Sequence, residues 1–141
     1  MDTETPYYNQ SYTREDIDGI LETIKNCIRN EWYTISMNNS RQENQDFRDE
    51  YNLTKSKYER ILLEISSDDF CHSLQNIHKG FEHEVLYVFV LRVVLYNICG
   101  EEGAVDIYIK FNIITAANHP YVIVISFHQL NKDIEYAFCE C

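Results

Sequence analysis

The chain has 141 residues, of which 45% are hydrophobic and 13% aromatic; this composition excludes a disordered chain and predicts one domain with a buried core. No apolar run approaches the roughly 18 residues of a membrane span, and the chain does not open with a basic region followed by an apolar stretch, so we expect a cytoplasmic protein. The net charge is −11 and the twelve Lys and Arg residues are scattered, which by composition argues against nucleic-acid binding and favours a basic partner or mere solubility.

The N-terminal part of the sequence predicts an arm followed by an amphipathic helix. Residues 1–12 are polar and tyrosine-rich and are predicted to be a flexible arm, which leaves 13–141 as the single domain. Thr13 and Asp16 have the spacing of a helix-starting capping box. The apolar residues that follow recur every three or four positions, so the helix should run to about Asn30.

A second helical region is predicted in the middle of the chain. A short strand at 32–36 and a polar loop at 37–45 precede it, and it covers 46–64 with a break near Asn52. The restart is expected at Thr54 or Ser56, where capping residues precede the next apolar positions.

The C-terminal half changes to a β pattern after one more predicted helix. Ser66 and Asp69 have capping spacing and predict a third short helix that carries His72. Strands are then predicted at 85–99, 105–114 and 121–128, separated by turns with Gly, Asn and Pro. Helices followed by an antiparallel meander indicate an α+β fold, with the helices packed on a small antiparallel sheet.

Three side chains with useful chemistry fall on the last two predicted strands. Alternation places Val105, Ile107, Ile109 and Phe111 on one face of their strand, so Tyr108 and Lys110 share the other face. His128 ends the following strand at the rim of the sheet. A Tyr, a Lys and a His on adjacent strands can move protons at a phosphodiester, although such residues also occur on ordinary half-buried strands.

Metal-free cleavage of RNA needs a base for the 2′-hydroxyl proton, an acid for the departing 5′-oxygen and cations for the phosphorane. Histidine suits the first two tasks because its ordinary pKa is about 6.5. His72, Tyr108, Lys110 and His128 together contain these groups, and Arg92 adds charge if its side chain reaches the same face.

Other signatures are missing or weak. The sequence has no Gly-rich phosphate loop, nucleophile elbow, His-Glu-x-x-His motif or Cys-x-x-Cys pair, and we expect no cofactor and no metal in the site. His78 and His83, with Glu82 and Glu84, leave open a metal-dependent hydrolase. The terminal Cys139 and Cys141 could bind metal or oxidise, but their place at the end of the chain favours a frayed tail with two incidental thiols.

The order of motifs resembles the motility quorum-sensing regulator (MqsR) family of mRNA-interferase toxins, which have a RelE-like fold. The corresponding pieces, in order over roughly residues 13–130, are DIDGILETIKN, YTIS, YNLTKSKYERILLEIS, SDDFCHS, VLYVFV, DIYIKF and VISFH. In this resemblance Tyr108 and Lys110 match the family's tyrosine-x-lysine strand, and His128 matches the basic residue of the final strand. His72 takes the position that follows the acidic-aromatic pair.

The resemblance implies the toxin of a type II toxin–antitoxin pair, with single-stranded mRNA as substrate and a cognate antitoxin as partner. Such an endoribonuclease leaves a 2′,3′-cyclic phosphate without using metal. His128 would be a principal acid or base, Tyr108 would position or donate a proton, Lys110 would stabilise the phosphorane, and His72 would be a second titrating residue.

The alternative is a non-catalytic module on the same scaffold whose acidic surface binds a basic protein. The charge of −11 favours this alternative, as does the lack of the family's active-site glutamine after Tyr87.

Overall fold

The computed structural model describes residues 8–37, 41–75, 80 and 84–138, and in them three helices pack on one face of a six-stranded sheet. The helices are α1 (Arg14–Arg29), α2 (Gln42–Tyr51) and α3 (Lys55–Glu64). The strands are β1 (Tyr8–Asn9), β2 (Tyr33–Ile35), β3 (Phe70–Gln75), β4 (Val85–Tyr96), β5 (Glu102–Ala116) and β6 (His119–Gln129). The α+β prediction is confirmed. Within the described residues, no helix combines the length and the apolar character that crossing a bilayer requires.

The sheet is a meander extended at both edges. Its strand order is β1-β3-β4-β5-β6-β2, and β3 to β6 are joined in sequence by antiparallel pairing. The parallel pairing of β2 with β6 closes one edge, and the antiparallel pairing of β1 with β3 closes the other. The meander was predicted, but neither edge strand's partner was, because pairing between distant segments leaves little trace in either segment alone.

The predicted helix boundaries agree with the caps that form. The Thr13 hydroxyl accepts from the Asp16 amide and the Asp16 carboxylate accepts from the Thr13 amide, both at 3.0 Å, which confirms the capping box. Asn52 takes the left-handed conformation (φ 48°) and ends α2. Thr54 caps α3, so the alternative start at Ser56 is wrong.

The two faces of the sheet carry different cores. The helix side buries the alternating Val105, Ile107, Ile109 and Phe111, as predicted, and these residues pack in one cluster with apolar residues of α1, α2 and α3. A smaller cluster on the opposite face contains Tyr108. Leu130 and Ile134, from the segment after β6, pack against that smaller cluster, so a C-terminal strap (residues 130–136) crosses this face.

The prediction of a third helix, carrying His72, is wrong. The Ser66–Asp69 box does form, but it closes only a single 3-10 turn, Ser67–Asp69. The chain then enters β3, which pairs with β4 from Phe70 opposite Phe89 to Gln75 opposite Val85. His72 therefore lies on a strand, because pairing with the long β4 outweighs a local capping signal.

Two smaller predictions also need correction. The polar loop predicted at 37–45 is too long, since α2 begins at Gln42. The described part of the predicted arm packs on the domain. Its β1 residues pair with β3, the Gln10 side chain donates to the Cys71 carbonyl at 2.8 Å, and the Tyr12 hydroxyl bonds Ser73 at 2.9 Å.

Candidate functional site

The register of β5 and β6 brings three predicted site residues together. Tyr108 lies opposite His128 and Lys110 lies opposite Ser126, so all four side chains emerge on the strap side of the sheet. The rings of Tyr108 and His128 stack with their centroids 5.4 Å apart and their planes at 19°. Because Tyr108 is only 4% exposed, its ring is a fixed wall for the histidine.

These residues line a polar cavity of about 390 Å³ at the end of the strand pair. The start of α2 and the first residues of the strap complete its wall. The lining residues are Arg41, Gln42, Glu43, Asn44, Tyr108, Lys110, Ser126, His128, Asn131 and Lys132. We call this space the cationic cavity, since three of its residues are Lys or Arg.

Arg41, Lys110 and Lys132 form the charge of the cationic cavity. Among the residues that the structure describes, no carboxylate lies within 4.0 Å of any of these three cations. The Lys132 Nζ lies 4.7 Å from the centroid of the Tyr108 ring, a cation–π distance. Burial lowers the pKa of Lys110, and the charges of Arg41 and Lys132 lower it further. An anion bound among these cations would relieve that repulsion.

His128 presents one nitrogen to the cationic cavity. Its Nδ1 lies 2.9 Å from the Gln129 carbonyl oxygen, and because a carbonyl oxygen can only accept, Nδ1 carries the proton. Nε2 is then the basic nitrogen of the neutral ring. It lies 3.8 Å from a carboxylate oxygen of Glu43, whose other oxygen accepts from the Asn131 amide. The geometry therefore suits His128 for taking up a proton.

Asn44 fixes the local backbone of β6 beneath the site. Lys110 pairs with Ser126 and Phe111 with Val124, so Ile125 is the extra residue of a bulge. The Asn44 side chain is 1% exposed; it donates to the Ile125 carbonyl at 2.9 Å and accepts from the Phe127 amide at 2.9 Å. Asn44 thereby satisfies the backbone groups that the bulge removes from the ladder.

His72 occupies a different space from His128. It is 7% exposed and lines an adjoining cavity of about 380 Å³ between β3 and the strap. Burial, followed by the charges of Lys132 and Lys110, lowers the pKa of His72 to about 4. The ring is therefore neutral at pH 7, and the structure does not bring it into the cationic cavity.

Arg92 does not reach the site. It pairs with Asp106 through two hydrogen bonds of 2.8 and 3.1 Å on the β4–β5 hairpin, and neither residue lines the cationic cavity. The ladder places Arg92 on the same sheet face as Tyr108, but the facing Asp106 takes its guanidinium, so Arg92 adds no charge to the cationic cavity.

The alternative metal cluster and the terminal cysteines fall largely outside the described part of the chain. His78, Glu82 and His83 are not described, and neither are Cys139 and Cys141. Among the residues that are described, no group of three or more His, Cys, Asp or Glu side chains is arranged to hold a metal ion.

Sequence reasoning missed most of the polar wall. Ser126 could have been predicted from the sequence, because it precedes His128 by two positions and so shares its strand face. Arg41, Glu43 and Lys132 come from the start of a helix and from the strap, where no periodic pattern marks which residue turns inward. Only the tertiary fold brings them to the strand pair.

Comparison with family models, with curated proteins and with solved structures finds no match for this chain. The resemblance to the MqsR toxins therefore still depends only on the order of motifs described above.

Proposed function

We propose that this protein is a metal-independent endoribonuclease that cleaves single-stranded RNA in the cationic cavity. The observation that supports the proposal is the gathering of Arg41, Lys110 and Lys132, without carboxylate partners among the described residues, beside Tyr108 and His128. A phosphodiester anion is a ligand that such a constellation stabilises.

The three clustered cations explain how a chain with a negative net charge could still bind RNA. A chain with a net charge of −11 repels RNA at long range, so binding requires that some cations be concentrated at one place. Four other cations, Arg14, Arg48, Lys55 and Arg92, are paired with nearby carboxylates. The cationic cavity thus offers a phosphate a local charge that the composition conceals.

The reaction that fits is an internal transesterification of RNA. His128 Nε2 removes the proton of the 2′-hydroxyl while the 2′-oxygen forms a bond to phosphorus. The bond between phosphorus and the 5′-oxygen breaks, and the departing oxygen takes a proton from the Tyr108 hydroxyl. Lys110, with Arg41 and Lys132, stabilises the negative charge that develops on the phosphorane. The products are a 2′,3′-cyclic phosphate and a free 5′-hydroxyl.

The biological role that we propose is that of the toxin in a type II toxin–antitoxin pair, with mRNA as the substrate and a cognate antitoxin as the partner. Support for this role comes from the motif order that resembles the MqsR family. His72 was expected to be a second titrating residue, but its burial and separate cavity favour a role in contacting substrate over one in proton transfer.

The direct test is incubation of the purified protein with single-stranded RNA in EDTA. We expect wild-type protein to cleave and His128→Ala to lose at least about a hundredfold in rate, the usual contribution of general acid–base catalysis. The matched control is His119→Ala, which removes a histidine from the other end of β6, where the ring stacks on Trp32. Cleavage that chelation abolishes, or that His128→Ala retains, would contradict the proposal.

The second candidate is a non-catalytic module that binds a basic protein. The net charge of −11 favours it, and so does the Glu43 carboxylate, which stands where an incoming phosphate would meet His128. This candidate predicts tight binding of a basic partner that Lys110→Gln and His128→Ala leave unchanged, and no RNA cleavage under any condition.

A further inference from the structure

The cationic cavity has a neighbour on the strap side of the sheet with a different chemistry. This second space, the strap cavity, has a volume of about 380 Å³ and is lined by Gln10, His72, Lys132, Asp133, Ile134 and Glu135. Lys132 lines both spaces. The two cavities are therefore adjacent and share one cation.

The distance between the two cavities suits one nucleotide and its base. His72 lies opposite Val88, and Val88 lies opposite Lys110, so His72 and Lys110 are two strands apart on the same face. Two strand spacings amount to roughly 10 Å. A phosphate at Lys110 would place a neighbouring base of the same strand within reach of His72.

The strap cavity is lined by two carboxylate residues and one lysine, whereas the cationic cavity is lined by one carboxylate residue and three cations. Its two carboxylate residues, Asp133 and Glu135, are both exposed, and the half-buried Ile134 gives it an apolar side. His72 is neutral at pH 7 there, so its ring gives the cavity a polar wall without charge. Acceptors beside an apolar surface are suited to a flat ring that carries amino groups, and poorly suited to a second phosphate.

We propose that the strap cavity is a nucleobase subsite that favours a base with an exocyclic amino group over uracil, which has none. This inference rests on the proposed function, since it takes the RNA phosphate to lie in the cationic cavity. In this arrangement Lys132 contacts the phosphate between the two subsites, while Asp133 and Glu135 accept from the amino group. His72 is then a specificity-determining residue that contacts the base.

Cytosine and uracil are the matched probes, because the two rings have the same size. They differ at C4, which carries an amino group in cytosine and a carbonyl in uracil, and at N3, which accepts in cytosine and donates in uracil. Binding is measured by fluorescence anisotropy with 2′-O-methyl hexamers of each base, which lack the 2′-hydroxyl and are not cleaved. We expect the cytosine hexamer to bind about five- to tenfold more tightly than the uracil hexamer, the effect of one hydrogen bond to a charged acceptor.

A double variant tests the assigned acceptors. Asp133→Ala with Glu135→Ala should bring the ratio of the two dissociation constants close to one. The control, Asp18→Ala with Glu22→Ala, removes the same charge from the exposed face of α1 and should leave the ratio unchanged. Removing carboxylates should raise the affinity for any RNA, because it reduces repulsion of the phosphates. Both hexamers carry the same charge, so this gain cancels in the ratio of their dissociation constants.

The outcomes separate this inference from the proposed function. Equal binding of the two hexamers by the wild-type protein would overturn the subsite and leave the ribonuclease proposal standing. A cytosine preference that survives the Asp133 and Glu135 double variant would also overturn the subsite as placed. Failure to bind either hexamer would overturn the proposed function and the subsite with it.

Discussion

Two histidines on the same face of the sheet have opposite environments. His128 holds its Nδ1 proton on a backbone carbonyl and directs Nε2 into a cavity with three cations. His72 is buried under the strap, and burial together with two nearby lysines lowers its pKa to about 4. The residue type alone made both candidates for acid–base work. The surroundings, which come from segments distant in sequence, make the two rings chemically different.

The depressed pKa of His72 predicts how stability depends on pH. Between pH 6.5, the ordinary value, and about 4, the unfolded chain takes up a proton at this residue that the folded chain does not. Acid therefore favours unfolding in that window, and the loss levels off below it. Relative to His72→Asn, wild-type protein should lose up to about 3 kcal/mol of unfolding free energy between pH 7 and pH 4.

Urea denaturation at pH 7, 6, 5 and 4 measures this difference. His119→Asn serves as the control, because it makes the same substitution at a histidine that stacks on Trp32 and does not line the strap cavity. If wild-type protein and His72→Asn lose stability in parallel, His72 does not have the buried environment described here.

The site residues also predict an outcome in cells. If the protein is a toxin that acts through His128 and Tyr108, then His128→Ala or Tyr108→Phe should relieve growth inhibition at equal expression. Circular dichroism should show the fold intact, because neither change opens a large cavity in the helix-side core. His119→Ala should remain as toxic as wild type. Persistent toxicity in both site variants would show that the site is assigned wrongly.

At the scale of elements, the last two strands were the most predictable part of the fold. Alternation in β5 assigned Tyr108 and Lys110 to the polar face, and the register with β6 then placed His128 beside Tyr108. The bulge at Ile125 and its support by Asn44 left no signal in the sequence, because a buried asparagine looks like any polar residue of a loop or helix start. β3 was mistaken for a helix for a related reason, since its pairing with β4 depends on a separate segment of the sequence.

The bulge predicts that replacing the Asn44 side chain lowers the free energy of unfolding substantially. Asn44→Ala leaves the Ile125 carbonyl and the Phe127 amide without the partner that satisfies them, so we expect a loss of about 2–3 kcal/mol in unfolding free energy. Chemical denaturation measures it. Asn26→Ala, on the exposed side of α1, is the matched change and should cost under about 0.5 kcal/mol. A similar cost for both variants would mean that Asn44 does not hold the bulge.

At the scale of the whole molecule, charge is distributed in a way that composition does not reveal. The twelve Lys and Arg residues show no basic run in the sequence, and composition alone therefore argues against a nucleic-acid surface. In the fold, Arg41 from the start of α2, Lys110 from β5 and Lys132 from the strap converge on one cavity. Fold class and strand faces were therefore accessible from the sequence, whereas the cation cluster was not, because it is assembled from three segments that share no pattern.

The cluster predicts the salt dependence of RNA binding. If three cations each neutralise one phosphate of a single strand, the logarithm of affinity should fall with the logarithm of salt concentration with a slope of about −2. Lys132→Gln should reduce the slope by about 0.7, and Arg60→Gln, an exposed cation of α3, should not change it. Titrations from 50 to 200 mM salt measure both slopes. A slope near zero would exclude phosphate binding by this cluster.

The central claim is that RNA is cleaved by its own 2′-hydroxyl at the cationic cavity. It is tested most directly by mass analysis of the products from a defined oligoribonucleotide, beside the same strand with a single 2′-deoxy substitution at the cleaved position. The account predicts a 2′,3′-cyclic phosphate on one product, a 5′-hydroxyl on the other, and no cleavage at the substituted position. Cleavage at the 2′-deoxy position, or products that end in a 3′-hydroxyl and a 5′-phosphate, would contradict it.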